Sequence, residues 1–222
     1  MEALERSFVT IAERIPAGCL VLIETTVAPG TTEHVALPVL REQFAARGIT
    51  SEPLLAHSYE RVMPGREYVK SIRDFWRVCS GANAESRRRV EKFLREVLNT
   101  EQFPLTVLDR PIESETCKIV ENSFRATLLA FMDEWSLFAE RNGVDLAKVI
   151  KAIRVRPTHS NMMFPGPGIG GYCLPKDVTA LQKVADRLGY DFGLLREVDR
   201  INREAIEAVA HKLDRPGAYF FS

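Results

Sequence analysis

Up to Asp109 this sequence alternates two periodicities, and beyond it only one continues. Leu4, Phe8, Ile11 and Ile15 recur at helical spacing and predict an amphipathic helix over 2–14, which Ala17-Gly18 breaks. Cys19-Leu20-Val21-Leu22-Ile23-Glu24-Thr25 is a short continuous apolar run, the mark of a strand buried on both faces. Pro29-Gly30 turns the chain, and Thr31 or Thr32 caps a helix ending near Gly48. Further strands are predicted at 53–57, 75–80 and 103–108. A helix over 84–98 turns Val90, Phe93, Leu94 and Val97 inward and leaves Arg87-Arg88-Arg89 as a solvated face. Helices alternating with short apolar strands predict an α/β fold with a largely parallel sheet. From 111 to 142 the pattern is one long helix, ended by Asn142-Gly143. Asp145 caps a helix to Arg154, 157–171 reads as a loop, and helices resume over 175–188 and 191–214. No strand pattern returns before Ala218. Residues 1–109 are thus predicted α/β, and 110–214 all-helical.

A chain of 222 residues, 45% hydrophobic, can bury a sizeable core in one large or two small domains. Its formal net charge of zero offers no basic surface for nucleic acid or an anionic membrane. Cys19, Cys79, Cys117 and Cys173 stand far apart and the histidines do not cluster, so neither a disulfide framework nor a metal site is expected. Reduced cysteines and a charged start without an apolar run predict a cytoplasmic protein.

Chemistry concentrates in Gly166-Pro167-Gly168-Ile169-Gly170-Gly171-Tyr172-Cys173-Leu174-Pro175-Lys176-Asp177. The glycines let a ligand approach the main chain. Pro175 suits the first position of a helix and places Asp177 in its first turn. A thiol at a helix start beside Lys176 ionises more readily than a free one, which suits a nucleophile. A small buried cysteine with a helix-starting acid fits the local residues equally well. Gly166, Gly168 and Gly171 also satisfy G-x-G-x-x-G, but prolines interrupt the approach and no strand precedes it, so this is not read as a dinucleotide loop.

Four other stretches carry candidates. Glu24–Thr32 follows a strand, where α/β sheets place ligands, or is simply a turn rich in caps. His57-Ser58-Tyr59-Glu60-Arg61-Val62-Met63-Pro64-Gly65 follows another, with Glu60 either a general base or the partner of Arg61. Lys118 and Asn122 share one face of the long helix, as substrate contacts or as exposed polar residues. Asn161-Met162-Met163-Phe164 either lines a pocket or packs a hinge.

In this order the stretches resemble the UDP-glucose/GDP-mannose dehydrogenase family. Glu24–Thr32 is similar to its E-S-T-V-P-P-G-T-T, and Ser58–Gly65 to its S-P-E-R-V-x-P-G. Glu115–Asn122 is similar to its E-x-x-K-x-x-x-N, and Gly170–Asp177 to its G-G-S-C-L-P-K-D. The resemblance implies NAD-dependent, four-electron oxidation of a nucleotide sugar at C6 to the uronic acid, through a thioester on Cys173. It implies Lys118 as oxyanion stabiliser supported by Asn122, and Asp177 with Thr26 holding a water. Glu60 would be the base for hydrolysis. Thr26, Glu60 and Lys176 would meet the cofactor. Lys118, Asn122, Phe164, Gly170 and Cys173 would meet the substrate.

The departures are specific. The family opens with a strand and a G-x-G-x-x-G turn, and no such element precedes Cys19. The resemblance makes 1–109 the second half of the NAD-binding Rossmann-like domain and 110–214 the central dimerisation domain. Residues 215–222 would open a C-terminal nucleotide-binding domain. Ala28 and Tyr59 stand where the family favours proline, and Tyr172 where serine or histidine is usual. Pro165–Gly171 is similar to the N-acetylhexosamine branch, Cys173–Asp177 to the glucose and mannose branch. A non-catalytic helical dimerisation fragment is the competing reading. A hydroxyacid-type dehydrogenase also places Lys and Asn a turn apart but has no use for Cys173. The long helix carries Ile119, Ala126, Leu129, Ala130, Phe131, Trp135, Leu137 and Phe138, more apolar surface than one sheet covers. The resemblance implies that this helix packs against its copy in a homodimer; the alternative is that the helices over 175–188 and 191–214 cover it within one chain.

Overall fold

The computed structural model describes residues 2–62, 65–166, 168–169 and 173–213, with the backbone alone at 2, 173–176, 178 and 211–213. By internal packing the chain divides into two compact units, Met1–Ile119 and Val120–Ser222.

The first unit is a sheet between helices. Strands β1 (Leu20–Ile23), β2 (Leu54–His57), β3 (Arg77–Gly81) and β4 (Leu105–Val107) lie in the order β1-β2-β3-β4. β1 runs parallel to β2 and β3 to β4, while β2 and β3 are antiparallel. Successive β2 side chains point to opposite faces. Leu55 packs with Phe8 and Ala12 of α1 (Glu2–Ala12) and with Leu37 and Leu40 of α2 (Leu37–Ala46). Ala56 packs with Val90 and Leu94 of α4 (Ala84–Val97) and with Cys79. A short helix α3 (Tyr68–Arg73), absent from the sequence reading, joins β2 to β3. Gly81 lets α4 come close, since a Cβ there would sit 2.2 Å from the Arg87 nitrogen.

Two expectations are corrected here, and one is qualified. β1 is covered on both faces, Val21 and Ile23 against the α1 and α2 side and Leu20 and Leu22 against the α4 side, but among the described residues it pairs only with β2, and Leu20, Val21 and Leu22 remain half-buried. On α4 Val90 and Leu94 face inward, but Phe93 and Val97 are exposed, because one sheet face covers only a stripe. The helix after Gly30 begins as a π-helical turn over Thr32–Ala36 and becomes α2 at Leu37. Pro38 in its first turn has no N–H to return to residue 34.

The second unit is helical. It comprises most of α5 (Pro111–Arg141), α6 (Leu146–Arg154), α7 (Cys173–Arg187) and α8 (Gly193–Leu213), with a 3₁₀ turn at Pro157–His159. Asp145 caps α6, accepting from the Lys148 N–H at 3.1 Å. Ala126 and Ala130 of α5 are small enough to seat Leu195 and Val198 of α8. Burying such a Leu and Val contributes roughly 1.5–3 kcal/mol each. Elsewhere on α5, Val120, Phe124, Phe131, Trp135 and Phe138 are exposed, the last three in edge-to-face contact.

One buried network in the first unit is pH-sensitive. His57 is fully buried, its Nδ1 2.7 Å from Ser114 Oγ, which also lies 2.6 Å from Ser80 Oγ. Burial pushes the imidazole pKa down to about 4, against a smaller opposite pull from the Thr25 carbonyl. Between pH 6.5 and 4 the unfolded chain takes up a proton that the folded chain refuses. Stability should therefore fall as pH falls through that window, by roughly 3 kcal/mol. Urea denaturation at several pH values, in parallel with His57→Gln, measures it. The variant should lose that share of the pH dependence; an unchanged profile would show that His57 titrates normally.

Candidate active site

In the first unit the site residues cluster where β1 and β2 end together. Their register pairs Ile23 with His57, so the Glu24–Gly30 and Ser58–Val62 turns leave the sheet at one edge. The Ser58 N–H donates to the Ile23 carbonyl at 3.0 Å and the Glu60 N–H to the Glu24 carbonyl at 3.2 Å. Arg77, 3% exposed, braces both turns from below. It donates to the Tyr59 carbonyl at 2.6 Å and reaches the Glu24 carboxylate at 3.4 Å. Burial lowers its pKa, and the carboxylates of Glu24 and Glu60 oppose that.

Glu60 is half-buried, and its carboxylate accepts from the Val62 N–H. Arg61 donates to the Tyr59 hydroxyl at 2.9 Å. Lys118 donates to the Glu60 carbonyl at 3.4 Å, with its Nζ 5.5 Å from the Tyr59 ring centroid. Thr26 is half-buried in the turn after β1.

One helical turn before Lys118, Glu115 is fully buried. It accepts from the Gly30 N–H at 2.6 Å, the Thr32 N–H at 2.8 Å and the Thr32 hydroxyl at 2.5 Å. Burial raises its pKa, and the bonds from Thr32 and Gly30 pull it back. Three donors aimed at two oxygens suit an ionised carboxylate. The expected threonine cap is thereby corrected. Thr31 makes no capping bond, and Thr32 spends its hydroxyl on Glu115, so the cap arrives from a distant helix.

In the second unit, α7 begins at Cys173, two residues earlier than expected, and Asp177 follows one turn later instead of within the first turn. Pro175 is tolerated as the third residue because the first four helical N–H groups have no intrahelical partner. Asp177 is 1% exposed and accepts from Asn122 Nδ2 of α5 at 2.5 Å. The loop entering α7 is held at several points. Asp133 of α5, 3% exposed, accepts from the Gly166 N–H at 2.9 Å. Burial raises the Asp133 pKa, offset by that bond. Gly168, at φ +91°, leaves room for Ile206 and the Asn202 carbonyl of α8, which a Cβ would strike. Phe164 is 40% exposed and lies under the Arg154 guanidinium, 5.3 Å from its ring centroid. Gly170 and the side chains of Cys173 and Lys176 lie outside the described residues.

Within the units, then, Lys118 meets Glu60 and Asn122 meets Asp177. Sequence reasoning missed Glu115, Arg77 and Asp133 as anchors. Glu115 was visible only as the first letter of E-x-x-K, and Arg77 and Asp133 carry no local signal. A cavity between β1 and α4, lined by Leu22 and Phe93 among others, contains none of the predicted site residues. Among the described residues no group of three or more His, Cys, Asp or Glu could hold a metal ion, and no helix is long and apolar enough to cross a membrane.

Residues 112–204 match the sequence profile of the UDP-glucose/GDP-mannose dehydrogenase family, central domain. The chain is 36% identical over 201 residues to UDP-N-acetyl-D-mannosamine dehydrogenase of Pyrococcus horikoshii, covering 90% of this chain and 45% of that one. It is 30% identical over 196 residues to UDP-N-acetyl-D-glucosamine 6-dehydrogenase of Pseudomonas aeruginosa, covering 87% and 44%. The solved structure of UDP-D-ManNAc dehydrogenase from Pyrococcus horikoshii superposes with a TM-score of 0.78 at 32% identity, over 95% of this chain and 48% of that chain. The chain spans less than half the length of each.

Removing the Glu115 carboxylate strands two buried N–H groups and a hydroxyl. Glu115→Ala should cost about 3 kcal/mol of stability, read as a lowered urea midpoint. A loss below about 1 kcal/mol would mean that those donors are satisfied without it.

Proposed function

The chain belongs to the UDP-glucose/GDP-mannose dehydrogenase family, and from that premise we propose that it serves the NAD-dependent, four-electron oxidation of a nucleotide sugar at C6 to the uronic acid. The names of the two curated relatives favour a UDP-N-acetylhexosamine substrate. The observation that carries the reading is the Asn122–Asp177 bond. It ties the first turns of the helix that begins at Cys173 to α5, the helix that carries Lys118 one turn before Asn122.

Cys173 is the first residue of α7, and a helix start in general favours a thiolate. In the proposed sequence the C6 alcohol loses a proton and a hydride to give an aldehyde. The Cys173 thiolate adds to the carbonyl carbon as a thiohemiacetal, and loss of a second hydride leaves a thioester. Water then displaces the thiolate and releases the carboxylate. Lys118 is the cation for the developing oxyanion, supported by Asn122. Asp177 and Thr26 hold the water, and Glu60 takes its proton.

NAD, when bound, would accept one hydride in each oxidation, so two NAD would be consumed per sugar. The chain's own residues fit only part of that cofactor's needs. A pyrophosphate is gripped by free N–H groups at a helix start after a parallel strand. After β1 those groups, on Gly30 and Thr32, are already taken by Glu115. On this reading Thr26 and Glu60, which follow the ends of β1 and β2, would contact other parts of the dinucleotide.

A second reading, a helical dimerisation fragment without turnover of its own, is favoured by the exposed stripe of Val120, Phe124, Phe131, Trp135 and Phe138. Apolar surface of this kind suits a second copy of the chain, and obligate interfaces commonly bury ~2,000 Å² or more. On either reading the isolated chain should sediment as a dimer and give no heat with NAD in calorimetry. A clean monomer would remove the interface, and micromolar NAD binding would overturn the cofactor argument.

The chemistry is tested in an enzyme whose cofactor site is complete. Cys173→Ser should stop at the aldehyde oxidation level, with no covalent sugar adduct, and Lys118→Ala should lower turnover roughly a hundredfold or more. Uronic acid made at the normal rate by the serine variant would refute the nucleophile.

A further inference from the structure

Tyr59 stands where the resembling S-P-E-R motif has proline, yet among the described residues it is the largest fully buried side chain, 1% exposed. Three cations converge on it. Arg77 bonds its carbonyl, a contact that any residue at this position, proline included, could make. Arg61 bonds its hydroxyl at 2.9 Å, with the guanidinium 5.3 Å from the ring centroid. Lys118 places its Nζ 5.5 Å from the same centroid while donating to the neighbouring Glu60 carbonyl at 3.4 Å. The ring and the hydroxyl are what tyrosine adds over proline, and they act on Lys118 and Arg61.

We propose that Tyr59 is a positioning residue for Lys118, its ring face holding the ammonium in place beside the Glu60 turn. The inference rests on the reading of Lys118 as a charged oxyanion stabiliser. An aromatic face attracts a cation through the ring quadrupole, more strongly where water is excluded. Arg61 and Arg77 lie at this turn together with the Glu24 and Glu60 carboxylates, so the ring acts as a local contact on the ammonium. The Glu60 carbonyl sets the direction of the N–H bond. The ring is itself buried, so that a long flexible lysine is held by a rigid partner.

The test is competitive acylation of the full chain with trace acetic anhydride, Lys118 being followed by mass spectrometry against Lys70, Lys92 and Lys148. In the wild-type chain Lys118 should react well below those three exposed lysines. Labelling at their rate would overturn the proposal without any variant. Tyr59→Met, which removes the ring but fills space, should raise Lys118 labelling roughly fivefold, leaving the reference lysines unchanged. Tyr59→Phe should stay at the wild-type rate. No change in the methionine variant, or an equal rise in the phenylalanine variant, would show that the ring does not hold Lys118. This readout does not depend on turnover. If Lys118→Ala proves fully active while Tyr59→Met frees Lys118, the catalytic reading fails and the positioning contact stands.

Discussion

Glu115 accepts from the Gly30 and Thr32 N–H groups at the start of the helix after β1. In return Glu33, within that helix, accepts from the Ile112 N–H at the start of α5, and Arg110 donates to it at 2.6 Å. Each helix start thus receives its cap from the other helix. Burial pushes Glu33 up, but the bonds from Arg110 and Ile112 outweigh it and leave its carboxyl below the usual range. A buried helix end without such a partner is costly, and the N-terminal partial charge of a helix favours an anion. The exchange fixes where α5 leaves the sheet, and within the first unit Lys118 inherits its position from that.

Lys118 follows Glu115 by one turn and fastens the turn after β2, as Glu115 fastens the turn after β1. Further along the same helix Asn122 fastens the start of α7, and Asp133 the loop that leads into it. α5 is therefore the common support of both groups of site residues, each within its own unit. The same Glu115 bonds occupy the backbone donors that could otherwise have received a phosphate. One contact both builds the candidate site and occupies the donors at a helix start.

Much of this was legible in the sequence, because hydrophobic period and punctuation are local signals. The long helix, the Asp145 cap and the four strands needed only neighbouring residues. What was not legible depends on partners far along the chain. β1 is covered on both faces as its apolar run suggests, but only partly, because such a run does not reveal whether a strand has one neighbour or two. Thr32 read as a cap because its competitor, Glu115, lies 83 positions away. Phe93 and Val97 read as core because helical spacing gives the apolar stripe but not its width. Tyr59 stood out only as a misfit in its motif; its meaning needed Lys118, from another element, to be seen over the ring.

The central claim, that the paired caps hold α5 to the sheet, is most directly tested by native-state hydrogen exchange of the Gly30, Thr32 and Ile112 amides. The account predicts that all three exchange only through the same opening as the core amides of β2, with matching free energies and denaturant dependence. Exchange of these amides at the rate of exposed turns, while β2 stays protected, would contradict it.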